Sequence, residues 1–404
     1  MRPEIHFSVA TVWSDDQIAE WASLGTPARA VTSVYGCRRE QLVGHGRAPD
    51  DVPAVDARAI EHHARVARQH GMRFLYLFNG RCEHLDFSCP ATRRTILADV
   101  EWAVEAVRAD CLVVADLRLA QIIRSVYSSS KVGLKVSTIA GIKEPSGLEP
   151  WLQFEVEGVV LHHDVARNFP LLAQIVRHLR TRAPEVSLEL LVNESCPPGC
   201  AFRSAHYARL ARAQLGYVEG FQQNCNLAKL AQPWLILAAP WVRPEDIEQY
   251  CELGVRHFKI AGREMPREWL HVAVRAYVEG RHRGNLIDLL TMTPPGLDVP
   301  AADIIFLNNS ALSHFLNEVR TSKGKLADLY RRWARMLWAA GAFRILDPDG
   351  CYELVGDVIR CVRAGQRVKR LLELRTDSDP VFPWASPQGG PRGVDVFACA
   401  AELG

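Results

Sequence analysis

Short β-rich runs alternating with longer stretches of helical periodicity fill roughly the first 280 residues, and this rhythm limits the fold more than any other feature of the chain. The strand candidates are Ile5–Ala10, Ala30–Tyr35, Arg73–Phe78, Cys111–Ala115, Leu134–Ile139, Gly158–His162, Leu188–Val192 and His257–Ile260. Most are apolar without strict alternation, the pattern of strands covered on both faces. Helical patterns fall between them at Asp15–Leu24, Asp56–Gln69, Ala91–Ala109, Leu117–Ser128, Gly147–Phe154, Pro170–Arg182, Pro244–Leu253 and Pro266–Glu279. Ser14 is placed to cap the first of these, Gly71 and Gly280 to end two others, and Pro266 to open the last.

Eight strand–helix units over this length match an α/β fold of the (β/α)8 TIM-barrel kind. A doubly wound open sheet is the competitor, but no Gly-x-Gly-x-x-Gly follows the first strand. The pattern breaks around Thr291–Pro300. The barrel is therefore expected over residues 1–288 and a C-terminal extension over 289–404. That extension should be helical at Lys325–Ala340, with a strand pair near Arg344–Val355 and a flexible Gly/Pro-rich tail from Asp377 to Gly393.

The balance of 48 Lys+Arg against 46 Asp+Glu argues against a nucleic-acid coat, though a local basic groove remains open. A large RNA substrate is correspondingly less attractive. No run of eighteen apolar residues exists, so no membrane span is expected. The start moves directly into an alternating pattern without an apolar leader, and a cytoplasmic location is expected.

In a reducing compartment the 11 cysteines serve as buried small residues, metal ligands or redox groups. Cys111 and Cys251 are expected in the core, while Cys196, Cys200 and Cys225 gather among polar, Gly and Pro residues. The segment Leu190-Leu-Val-Asn-Glu-Ser-Cys196-Pro-Pro-Gly-Cys200 ends an apolar strand, which in a barrel places both thiols at the C-terminal face. This spacing is not that of a zinc finger and suits an iron–sulfur cluster with ligands from several loops. Cys82, just past the third strand, is the candidate fourth ligand, with Cys37 and Cys89 as second choices. The bland alternative is a set of loop thiols.

The run Asn193-Glu-Ser-Cys196-x3-Cys200-x2-Arg203-x2-His206, then Cys225, Trp241-Val-Arg243-Pro244-Glu245-Asp246 and Phe258-Lys259-Ile-Ala-Gly-Arg263, resembles the U32 peptidase family. Ser33-Val-Tyr35-Gly36, Gly44-His45-Gly46-Arg47, Asn79-x2-Cys82 and Asp164-x2-Arg167-Asn168-Phe169 add to the likeness, which covers roughly residues 1–290. The family takes its name from collagenase-like proteases. Several members look instead like oxygen-independent hydroxylases carrying a four-cysteine [4Fe–4S] cluster, active in ubiquinone biosynthesis or RNA modification. The resemblance thus implies a cluster-dependent tailoring enzyme acting on a small molecule. Its alternatives are a peptidase, or a non-catalytic cluster-bearing partner of a homologous subunit; a homodimer is also compatible.

Other residues have polar chemistry at the expected barrel mouth. Arg47 and Arg263 suit a carboxylate-bearing substrate through paired hydrogen bonds, against a bland reading as loop-tying salt bridges. Lys259 falls within the eighth strand, where a buried lysine is costly unless paired or functional. His162, Asp164 and Arg167 follow the sixth strand as substrate-binding candidates or as a rim network. Glu194 and His206 flank the cysteine turn as acid–base candidates. No Gly-x-Ser-x-Gly or His-Glu-x-x-His occurs, and no nucleophile–base pair is evident from spacing. His62-His63 falls mid-helix and is expected to be solvated. The tryptophans are expected to pack rather than to form a stacking platform for single-stranded nucleic acid.

Overall fold

Extended runs that are apolar on both sides must find cover on both faces, and here they do so by closing a sheet on itself. The computed structural model describes residues 4–47, 49, 52–211, 221, 225, 228–229, 232, 234–292, 301–345, 352–355 and 358–361. Strands β1 (Ile5–Ala10), β2 (Arg29–Gly36), β3 (Arg73–Phe78), β4 (Cys111–Val114), β5 (Gly133–Val136), β6 (Gly158–Val160), β7 (Ser187–Leu191) and β8 (His257–Ile260) each pair in parallel with the next. β8 returns to β1 with Phe7 opposite Phe258 and Ser8 opposite Lys259. The fold is a (β/α)8 TIM barrel with an additional helical C-terminal part.

The described helices that matter below are α1 (Asp15–Leu24), α2 (Ala57–Gln69), α3 (Pro90–Glu101), α4 (Leu117–Val126), α5 (Glu149–Leu152), α6 (Phe169–Arg182), α7 (Arg203–Ala211), α8 (Trp234–Ala238), α9 (Ile247–Cys251), α10 (Arg267–Glu279), α11 (Phe315–Thr321) and α12 (Leu326–Ala339). Asp56, Asp116 and Asn168 cap α2, α4 and α6, each accepting a backbone N–H of the first turn. Ser14 occupies the cap position of α1 with extended backbone, but its side chain makes no capping bond, contrary to expectation. The single helix expected over Ala91–Ala109 is α3 running into a π turn at Trp102–Ala106. Four strands end earlier than their apolar patterns, β4 and β7 by a single residue and β5 and β6 by more. Ser137 accepts the N–H of Ile139 and turns the chain after β5, and His162 accepts that of Asp164 after β6.

The chain divides into two compact units. The first holds Met1–Glu194, Arg203–Val218 and Pro240–His282, and the second holds Ser195–Phe202, Glu219–Ala239 and Arg283–Gly404. The first is the barrel. The cysteine turn at Ser195–Phe202, which the sequence pattern assigns to the barrel, instead groups with the second unit. Within the first unit, Phe7, Val9, Phe74, Phe258 and Tyr277 are fully buried. Each large apolar side chain buried in this way contributes about 1.5–3 kcal/mol. Cys111 and Cys251 are core residues, as expected.

Within the second unit, β9 (Ile305–Leu307) pairs antiparallel with β10 (Phe343–Ile345), and Asn285 bonds the backbone of Ile305 and Leu307. α12 packs on α8, with the Arg331 guanidinium 4.6 Å from the Trp234 ring. The strand pair expected near Arg344–Val355 is not a single pair. β10 takes β9 as its partner, while β11 (Tyr352–Val355) pairs with β12 (Val358–Cys361). The tail Asp377–Gly393 lies outside the described residues.

Asn193, fully buried just past β7, holds the ends of β7 and β8 together. Its Nδ2 donates to the carbonyl of Ala261 at 2.9 Å, and its Oδ1 accepts the same residue's N–H at 2.8 Å. Asn193→Ala strands two buried backbone groups and is expected to cost about 2–4 kcal/mol, read by urea unfolding. Undiminished stability would show that this clasp is dispensable.

Candidate active site at the barrel mouth

Parallel strands present their C-terminal ends on one side of the barrel, so residues just past each strand share a rim. There Arg263 donates to the sulfur of Cys37 at 3.3 Å, joining the ends of β8 and β2. Arg47 forms an ion pair with Glu264 at 2.8 Å and also donates to the carbonyl of Gly46. Lys259 stands with its Nζ 3.7 Å from the Tyr35 ring centroid, and the Tyr35 hydroxyl donates to the carbonyl of Ile260. Arg47, Arg263 and Lys259 therefore do surround one mouth, but Arg47 is not an unpartnered cation.

The electrostatics follow from burial and charge. Lys259 is pushed down to about 7 by burial, with Lys135, Arg263 and Arg47 adding repulsion and Glu189 opposing them. Burial also pushes the Cys37 thiol up, against the pull of Arg263, and pushes His45 down to about 3 with Arg263 helping. Burial disfavours the charge on Glu264, but Arg47 beside it more than compensates. Glu194 is half-buried and acts on Arg47 through its charge, while the half-buried His206 stacks on Tyr207.

His162, Asp164 and Arg167, expected as substrate contacts, are engaged with the protein. Arg203 on α7 donates to Nε2 of His162 at 3.0 Å and to Asp164 at 2.9 Å, and Lys143 approaches Asp164 from solvent. Arg167 donates to the carbonyl of Trp241 and lies 4.2 Å from its ring. These contacts make a rim network in which each buried guanidinium meets an acceptor of the protein. His162, His163 and Asp164 bring their donor atoms within 4.8 Å of one another. The Arg203 guanidinium, bonded to two of the three, already provides the positive charge there.

His63 corrects a second expectation. It is buried, its Nε2 lies 2.6 Å from the Thr11 hydroxyl, and its Nδ1 lies 2.7 Å from Asp15. Of the two histidines His62 is the exposed one, and it too lies on Asp15. A hydroxyl, an imidazole and a carboxylate in line have the order of a nucleophile relay. The spacing Thr11, Asp15, His63 concealed this order, because three separate elements bring the residues together. Thr11, however, is 2% exposed and its oxygen also accepts the N–H of Trp13, so the hydroxyl has no access to a substrate.

Cys196, Cys200 and Cys225 are half-buried and belong to the second unit. There Lys229, 2% exposed, donates to the hydroxyl of Ser195, the residue before Cys196. Three thiols on this turn and a nearby segment are the donor type that a thiolate-held metal group requires. Cys82 differs. It lies in the barrel unit, donates its S–H to the carbonyl of Gly80 at 3.4 Å, and is pushed up to about 12 by burial and then by Asp116. The half-buried Cys89 opens α3, where the Thr92 N–H lowers its pKa. Residues that the pattern did not single out are Glu189 and Lys135. The available signal was a charge inside an apolar strand, as in Ser187–Leu191 and Gly133–Val136.

No protein-family model matches the chain. An uncharacterized protease of Methanocaldococcus jannaschii is 25% identical over 257 residues, covering 62% of this chain and 73% of that protein. Among solved structures, a U32 peptidase aligns at a TM-score of 0.45 and 16% identity, over 66% of this chain and 95% of that one. The catalytic domain of a chitinase from Pyrococcus furiosus aligns at 0.35 and 9% identity, over 64% and 84%.

The buried histidines set an acid limit. Burial holds His163 well below the usual imidazole range, neither ring nitrogen having a hydrogen bond among the described residues, and pushes His162 down to about 3 and His257 down to about 4. The unfolded chain takes up protons below pH about 6.5 that the folded chain refuses, so stability falls as pH drops through that range. His163→Phe should flatten this loss by up to about 1.4 kcal/mol per pH unit between pH 6.5 and 4.5, read from urea midpoints. Equal slopes would mean that His163 takes its proton while folded.

Proposed function

Because the chain is similar to the U32 peptidase family, we propose that it is an iron–sulfur-dependent enzyme, an oxygen-independent hydroxylase or related redox enzyme, acting on a small carboxylate-bearing molecule at the barrel mouth. The observation that carries the reading is the concentration of positive charge there. Lys259, Arg263 and Arg47 share the mouth with Glu264 as the nearby counter-charge, and Lys259, pushed down to about 7 first by burial, also feels the repulsion of the other cations. A substrate carboxylate relieves that repulsion through charge-assisted hydrogen bonds.

In this reading Arg263 orients the carboxylate and Glu264 keeps Arg47 extended beside it. Lys259 exchanges a proton near neutral pH, where its two forms are comparably populated. Cys196, Cys200 and Cys225 supply thiolates for a [4Fe–4S] cluster, with Lys229 balancing their charge. When bound, such a cluster supplies one-electron chemistry. No step here requires Cys82.

The peptidase reading keeps one observation of its own, the line of Thr11, His63 and Asp15, besides the name of the archaeal relative. The burial of Thr11 counts against it. Peptide cleavage by metal-free protein, abolished in Thr11→Ala, would establish it.

Anaerobic purification is expected to yield iron and acid-labile sulfide, lost in Cys196→Ala and retained in Cys82→Ala. Stoichiometric zinc without sulfide would refute the redox reading. Arg263→Ala should weaken binding of a carboxylate ligand about ten- to a hundredfold while leaving the cluster spectrum intact. Unchanged binding would return Arg263 to a purely structural role.

A further inference from the structure

Three charged side chains from three strands meet inside the barrel: Lys135 on β5, Glu189 on β7 and Lys259 on β8. Glu189 is 1% exposed and Lys135 6%, and they form an ion pair at 3.2 Å. That bond spans β6. At the crossing stands Gly158, where a Cβ would lie 3.1 Å from Lys135 Cε, so the missing side chain gives the lysine stem its room. Lys259 makes no hydrogen bond to a carboxylate among the described residues. Its ammonium lies over the Tyr35 ring, and unlike the other two it keeps partial access to solvent.

We infer that Glu189 and Lys135 are positioning residues: by locking the barrel's inner carboxylate onto Lys135, the fold leaves Lys259 over the Tyr35 ring as an amine with no carboxylate bonded to it. The surrounding groups leave little else to balance it. Arg263 and Arg47 approach from the rim with Glu264 committed to Arg47, and Tyr35 is kept neutral by burial. His257 is kept neutral by burial and stacks on His6 at 4.5 Å, while Ser8 and Ser33 contribute only hydroxyls, 2.5 Å apart. Two lysines in one interior thus move in opposite directions. Burial disfavours the charge on both, but Glu189 carries Lys135 above its ordinary pKa while Lys259 falls well below. In a low-dielectric interior a third, unpaired charge is the one discharged. Taken with the reading of the mouth as an anion site, it follows that an arriving carboxylate supplies the missing charge and draws a proton from solvent onto Lys259.

Brief acetylation of the full-length protein with acetic anhydride across a pH series, mapped by mass spectrometry, reports the uncharged fraction of each lysine. Lys259 is expected to label with a midpoint near pH 7, against about 10.4 for surface lysines. Lys135→Met leaves one carboxylate for one ammonium, so the midpoint should rise by at least one unit and labelling at pH 7 should drop several-fold. Glu189→Gln should shift it the other way. Surface-like labelling of Lys259 in the parent, or an unmoved midpoint in a folded Lys135→Met protein, would overturn the inference. Malonate, as a small dicarboxylate probe, should raise the parent midpoint. A normal response to the variants without a response to malonate would support the charge arrangement and count against the anion-binding reading alone.

Discussion

Closure of the parallel ladder between β8 and β1 is the constraint on which the rest of the barrel unit depends. Once Ser8 lies opposite Lys259 and Glu189 opposite His257, the inward positions of every strand are fixed. A shift of one residue would turn each charge outward among the apolar helices. The neighbouring β7–β8 seam is held at its upper end by the clasp of Asn193 on Ala261 and by the Tyr277 hydroxyl, which lies within hydrogen-bond reach of the carbonyls of Val192 and Val242.

That closure explains how polar groups survive inside an apolar sheet. Lys135 and Glu189 compensate one another, whereas an isolated ion there would be strongly penalised. The interior is consequently polar at the level from which the mouth opens, and the chemistry proposed for Lys259 follows from what its neighbours have already neutralised. The rim is organised on the same principle. Arg203 satisfies His162 and Asp164, Arg167 satisfies itself on Trp241, and Glu264 satisfies Arg47. Arg263, on the soft sulfur of Cys37, has the weakest acceptor of these cations.

Much of the fold was legible before any coordinate. Ile5–Ala10, Arg73–Phe78 and His257–Ile260 are strands with the bounds their patterns implied, and Asp15–Leu24 is the helix its periodicity required. The misses have local causes. Ser137 and His162 end their strands with side-chain bonds that compete with the ladder, and a π turn interrupts the long pattern after Glu101. The candidate site was legible as a set of residue types at strand ends. Which of them were already spoken for was not, because Glu264 on Arg47, Arg203 on Asp164 and Asp15 on His63 are 217, 39 and 48 residues distant in sequence.

The sequence by itself determined the eight-fold alternation, the side on which Arg263, Arg47 and the strand-end residues gather, and the unusual thiol turn at Cys196 and Cys200. These depend on periodicity and turn chemistry, which are local. Only the tertiary structure decided that Glu189 belongs to Lys135 and not to Lys259, that His63 is buried on Thr11 and Asp15, and that Cys82 is held against the carbonyl of Gly80. Those outcomes turn on which groups share a desolvated space, and burial converts small differences in distance into the choice of which group keeps its charge.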